Sequence, residues 1–383
     1  MLRSIALATL ILSSIWASAD PTPVVDCDRG QSLNRALAKM DKFGAATVKF
    51  KGTCTEYVVI DGFNNLTLQG LPGATIQQPA TIPQTSPFYV LSVTASRSVT
   101  LSGFAVHSLP SALSGIGIGK GSADIVLRKV TTDGSWGIFV YQFSQVWLVQ
   151  VTVNITSGYA AIAALDESDV HIVDGLLHRP ADSGFYAGLL VSSGHVTMQG
   201  MTIRDMQTSI NVNESGSVDL VNFEPTALGV DVTIDNPAGT NVNGAYVSDG
   251  ASLNLSSAML LISNAGQPYG FNSGAVFVTN GSTLTAGANL VVAGSHGQGV
   301  MVSNNSHAEL AGSSITGGAH GGLVVVNQST AGANLTNPLT TISGNGTDLF
   351  CDSKSRITGS LYIANVTTVQ CNDLLPDLYE SLP

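Results

Sequence analysis

Five side chains suited to acid–base and charge-stabilising chemistry recur at the pace of a repeat: His107, Asp133, Asn154, His178 and Arg204, at intervals of 21 to 26 residues. Each stands eight residues after the first apolar position of its own segment, which is Val99, Ile125, Val146, Val170 or Val196. If those segments stack, the five side chains form one column, with neighbours ~4.8 Å apart and Asp133 ~10 Å from His178. Such a column suits a sugar chain. His178 beside Arg204 has the parts of a base and a charge stabiliser, which makes all five candidate catalytic residues. A solvated turn where polar residues collect would produce the same spacing.

A second constellation is Asp166, Glu167, Asp169, His171 and Asp174. No cofactor is expected beyond a weak Ca2+ site, which oxygen-rich turns suit; a polar turn followed by a surface strand accounts for these residues equally. Alternation sets His171 between Trp147 and Thr197 on an outer face, a candidate ligand-binding pair with Trp147. A third set, Phe139, Leu190, Asn211, Tyr246, Phe277, Met301 and Val324, points outward on another face. Outward aromatic residues such as Phe139, Tyr246 and Phe277 suit sugar stacking or a protein contact, and burial under long loops explains them as well.

These positions depend on a repeat that opens with a small polar residue and then alternates. It runs Ser98-Val99-Thr100-Leu101, Asp124-Ile125-Val126-Leu127, Gln145-Val146-Trp147-Leu148, Asp169-Val170-His171-Ile172 and onward through Ser252-Leu253-Asn254-Leu255. A second apolar pattern follows in each unit, as in Gly137-Ile138-Phe139-Val140 and Gly299-Val300-Met301-Val302. Units lengthen around 226–243 and 265–273. One coil cannot bury its inward side chains, but a stack of coils buries a continuous column of Val, Ile and Leu. The implied fold is all-β: a single-stranded right-handed parallel β-helix. Ser32 followed by Leu33, Ala36, Leu37 and Met40, with Gly44 as stop, predicts a short amphipathic helix capping the open N-terminal edge. Residues 374–379 are expected to cover the other end. Asn280, Asn304 and Asn327 open N-x-S sequons that read first as turn ladders.

Composition agrees. Only 11% of the 383 residues are charged, 41 are Gly, and the hydrophobic fraction is 44%, so the surface must consist of Ser, Thr, Asn and Gly. A net charge of −11 argues against nucleic acid or an anionic membrane as partner. Arg3, the apolar stretch 5–16 and Ala17-Ser18-Ala19 have the three parts of a secretory signal, cut after Ala19. No later stretch is long and apolar enough to span a bilayer, so secretion to the periplasm or exterior is expected. Four cysteines lie as sequence-local pairs, predicting Cys27–Cys54 and Cys351–Cys371 disulfides, each worth ~3 kcal/mol. The expected organisation is a signal peptide at 1–19, an N-terminal cap at 20–62, coils at 63–350, and a final coil and cap at 351–383.

On this repeat the chain resembles the pectin-lyase-like right-handed β-helix superfamily, specifically secreted β-helix-repeat proteins of unassigned activity. The resemblance implies the fold and a leaning toward carbohydrate. The catalytic strings of its enzymes are missing: Ser295-His296-Gly297 and Ala319-His320-Gly321 lack the paired carboxylates that hydrolysis requires, and Arg179-Pro180 and Trp136 are fragments of a lyase pattern. Gly115–Gly121 mimics a phosphate loop without its Ser/Thr or helix. Three functions therefore stand open: a binding protein offering a lateral face to a polysaccharide or cell-surface glycan; a divergent lyase, hydrolase or epimerase; and a structural or adhesive solenoid. Oligomeric state is not indicated.

Overall fold

Strands equivalent in successive coils pair in parallel, one directly over the next, and build three long faces. In this computed structural model the described residues are 24–81, 89–109, 114–179, 187–222, 231–236, 243–266, 273–333, 340–359 and 361–363. The expected signal peptide, the expected C-terminal cover at 374–379 and Cys371 lie outside them. Face 1 holds strands such as Leu66–Gly70 and Ile125–Arg128, face 2 those such as Thr75–Gln77 and Thr131–Gly134, and face 3 those such as Trp136–Val140 and Thr347–Cys351. The chain is an all-β, right-handed parallel β-helix.

Faces 1 and 2 join into one 24-stranded sheet, while face 3 is a separate sheet of 12 strands. The join is made by the strands Gln145–Ile155, Asp169–His178 and His195–Arg204, which turn the corner without a break. The corner is a single residue in the left-handed region: Lys129, Gln150, Asp174 and Gly200 have φ of 53, 55, 56 and 63° in successive coils. One such residue reverses the alternation and bends the strand. That fixed corner keeps the offset between the two faces constant from coil to coil.

Inside, Ile125, Val146, Val170, Val196 and Val218 pair in sequence and are fully buried. The stack continues through Leu253, Leu284 and Ala308. At the start of face 3 the coils approach so closely that a Cβ on Gly137 would lie 1.9 Å from the carbonyl oxygen of Ala161, which is why that pattern opens with Gly, Ala or Ser. Where face 3 returns to face 1, buried serines form ladders. The Ser96 and Ser122 amides donate to the hydroxyls of Ser122 and Ser144 at 3.3 and 3.2 Å, and Ser282, Ser306 and Ser329 repeat the pattern. Outside this corner, Asn280 donates to Asp249 at 3.0 Å, Asn304 to Asn280 at 3.2 Å and Asn327 to Asn304 at 3.1 Å. The three sequon asparagines are ladder rungs.

The N-terminal cap is a helix, Leu33–Leu37. It is shorter than the run to Gly44 because Lys39 and Met40 bond back three residues, to Ala36 and Leu37, and close the last turn. Leu33 and Leu37 are buried against the first coil, with Ala36 and Met40 packed beside them. Its N-terminus is held by Glu56, whose carboxylate accepts from the Leu33 amide at 2.6 Å and from Ser32 Oγ at 2.8 Å. Cys27 and Cys54 form a disulfide across 27 residues. Cys351 is also disulfide-bonded. No described helix is long and apolar enough to cross a membrane.

Candidate functional site

His107, Asp133, Asn154, His178 and Arg204 are consecutive register partners at the end of face 2. The same column begins earlier, at Thr55 and Gln77, and runs on to Asp235 and Ser263. Nine coils therefore present polar side chains over roughly 38 Å at the ~4.8 Å strand spacing. They cross-link along the axis: His107 Nδ1 is 3.2 Å from Asp133, and Asn154 donates to Asp133 at 2.6 Å. Arg204 is 3.8 Å from Asp235, which also accepts from Ser263 at 3.1 Å and Asn264 at 3.2 Å.

The middle of the column differs from its ends. His178 Nε2 lies 3.6 Å from Oδ2 of Asp205, the residue just past Arg204. The other carboxylate oxygen of Asp205 is sealed from solvent without a hydrogen-bond donor. In the next coil Asn236 is 1% exposed, and neither its amide nitrogen nor its oxygen has a partner. Buried polar atoms are normally satisfied; these unanswered groups lie behind the outward side chains of His178, Arg204 and Asp235, sealed from the surface that those side chains present. Sequence reasoning did not find Asp205, Asp235 or Asn236. The insertion around 226 disturbs the spacing that would have brought in Asp235, and the other two lie one residue beyond the column.

On face 1, Trp147 and His171 are register partners with rings stacked at 4.3 Å, so one face of the indole is already covered. His171 Nε2 is 3.1 Å from Asp169 and its Nδ1 2.5 Å from Thr197 Oγ1. The bond to His171 holds the Asp169 carboxyl below the usual carboxylate range. His195 repeats the arrangement, 2.7 Å from Ser217 Oγ and 3.7 Å from Asp219. Hydroxyl, imidazole and carboxylate in a row suggest a nucleophile and its base. Both rows, however, lie on strands paired on both sides, so the surrounding amides are bonded to neighbours and none is left to hold an oxyanion.

The acidic constellation does not assemble. Asp166 and Glu167 sit in a left-handed turn before face 1, Asp169 and His171 on the face itself, and Asp174 at the far corner. Among the described residues no group of three or more His, Cys, Asp or Glu is placed to hold a metal ion. These neighbours in sequence are dispersed by two turns.

On face 3 the outward column is real in register, from Phe139 through Leu190, Asn211, Tyr246, Phe277, Met301 and Val324 to Phe350. Yet Phe139 and Phe277 are only 7% and 8% exposed. Phe139 belongs to a small cluster with Ala160, Ala163, Ala187 and Leu190, so neither ring offers a stacking face, and burial is the one of the two expected explanations that these positions follow. Tyr246 is half-buried, edge-on to Phe277 at 5.4 Å. Phe350, at the column's end, is exposed.

No protein-family profile matches the sequence, and no curated protein matches it. Solved structures do. A surface adhesin of Streptococcus pneumoniae, PfbA, is similar over 88% of this chain and 87% of its own, with 13% identity and a TM-score of 0.46. The receptor-binding tailspike of bacteriophage Det7 is similar over 95% and 78%, with 8% identity and a TM-score of 0.47. The catalytic domain of a GH87 α-1,3-glucanase, solved with tetrasaccharides, is similar over 93% and 70%, with 14% identity and a TM-score of 0.44. At such identities the likeness concerns the fold alone.

Proposed function

We propose that the chain is an exported protein that binds an extended, neutral polysaccharide along the end of face 2, centred on His178, Arg204, Asp205 and Asp235. The observation that carries this reading is the unbroken nine-residue polar column from Thr55 to Ser263, in register from coil to coil. Sugar hydroxyls both donate and accept, which suits a row of imidazole, carboxylate, amide and guanidinium side chains. Neutrality follows from charge: Asp133, Asp205 and Asp235 outnumber the single Arg204, and the protein's −11 repels a polyanion. Export agrees with the Cys27–Cys54 disulfide.

The test is a glycan array of neutral and acidic polysaccharides, followed by affinity measurements on the best binder. His178→Ala and Arg204→Ala are each expected to weaken binding about tenfold or more, because each leaves a ligand group unpaired. An array with only acidic glycans bound, or unchanged affinity in both variants, would remove the proposal.

One observation favours a second reading, cleavage. Asp205 beside His178, with Asp235 one coil away, supplies the two carboxylates that no sequence motif provided. Release of reducing or unsaturated ends from the bound polysaccharide, abolished by Asp205→Asn with binding retained, would make the site catalytic.

A further inference from the structure

Charge is unevenly divided along the solenoid axis. Residues 24–131 carry ten Lys and Arg against six Asp and Glu, whereas residues 132–383 carry four against nineteen. The division is plain on the edge where face 3 returns to face 1. There the turns stack from coil to coil through backbone bonds: Gly121 donates to Gln142, Phe143 to Asp166 and Glu167 to Ser193. Arg97 and Lys120 are exposed in the two coils before Phe143. Asp166, Glu167, Glu214 and Asp249 are exposed in the coils after it. Arg97 is already paired with Asp124 at 3.7 Å, so Lys120 is the cation the edge presents next to Phe143. Phe143 itself stands at the crossover of sign and is 68% exposed.

We infer that this edge is an interface between two copies of the chain, side by side and antiparallel about a two-fold axis at Phe143. A line of charge that runs from basic to acidic is complemented by a partner carrying the reverse order. The same chain turned end for end is that partner, and the contact is self-complementary. Coils are ~4.8 Å apart, so Lys120 and Glu167 lie at equal distances on either side of the axis, and each meets the other residue of the second copy. The two Phe143 rings cover each other at the centre, which takes a large apolar side chain out of water. A parallel pair would set like charges together. This edge is the one that face 2 does not touch, so the polar column stays open on both copies and the pair presents two of them. The interface does not depend on that column being a binding site.

Sedimentation equilibrium of the intact protein at ~10 mM and ~1 M salt tests the pairing. A dimer is expected at low salt, weakening as salt rises. Lys120→Glu and Glu167→Lys, both at exposed turn positions, each set like charges across the interface and are expected to raise the dimer Kd about tenfold or more. An equimolar mixture of the two variants is expected to recover the wild-type Kd, because position 120 of one copy then faces position 167 of the other with opposite sign. Phe143→Ser is expected to weaken the dimer several-fold. A monomer at every concentration in low salt, or a mixture no tighter than either variant alone, overturns the inference. So do species that keep growing beyond the dimer, which would mean end-to-end pairing in an open row.

Discussion

Asp169 shows how a single side chain on this surface is tied to its neighbours. Its carboxylate is held by His171 first and by Gln145 as well, so its pKa in the folded protein is below the ordinary 3.8. A depressed carboxylate binds protons less readily folded than unfolded. Its contribution is therefore complete above pH ~4 and is lost as pH falls through the folded value. The group is partly exposed, so the effect is small, below ~1 kcal/mol. Asp169→Asn is expected to flatten the acid limb of a urea-midpoint curve below pH 4 while leaving pH 7 stability within that margin; an unchanged limb would show the pairing with His171 to be inconsequential. At this scale the sequence was readable where turn length is constant. The eight-residue offset from Val99, Ile125, Val146, Val170 and Val196 located the His107–Arg204 column because the same left-handed corner recurs in each coil. It missed Asp235 once an insertion changed the spacing. It could not show that Asp205 reaches back to His178, since that approach depends on side-chain direction rather than register. Alternation placed Phe139 and Phe277 outward correctly, but it says nothing about what packs over an outward ring.

Among the elements, the cap helix has the most conditional existence. Five residues are too few to be stable alone, and no acidic residue lies in its own first turn. The missing charge comes from Glu56, at the other end of the first coil, which accepts from Leu33, Ser32 and the Asn34 side chain while Asn34 bonds back to the Tyr57 carbonyl and the Val59 amide. The apolar stripe announced the helix, but its partner is 23 residues away and no local pattern points to it. Glu56→Ala is expected to cost about 1–2 kcal/mol, the upper range for a lost N-terminal cap. Amide exchange over 33–37 should accelerate, with little change in the mid-solenoid coils. Equal acceleration throughout would mean that the helix is not a separate lid but part of one cooperative unit. The Cys27–Cys54 bridge beside it limits how far a frayed cap can open, so combining Glu56→Ala with reduction should cost more than either change alone.

Over the whole molecule, each coil touches only the coil before and the coil after, since the long-range pairings join equivalent strands in successive turns. Stability in such an array is a sum of coil terms and nearest-neighbour interfaces, so the position of a lesion matters as much as its chemistry. Ile172 is fully buried mid-solenoid between Leu148 and Met198, and Ile342 is fully buried near the C-terminal end over Ile315. Replacing either by Asn buries an amide among apolar side chains at a cost of several kcal/mol. At Ile172 the loss falls on two interfaces at the centre. Calorimetry is then expected to resolve two transitions, and polysaccharide binding on face 2 should fail with the first, because the column spans the damaged coil. At Ile342 the damage is confined to the last coils: one main transition should persist near its original temperature, and face 2 binding should survive. If both variants instead show a single transition lowered by the same amount, the coils do not act as neighbours in a row. A column assembled coil by coil would then have no independent standing as a site.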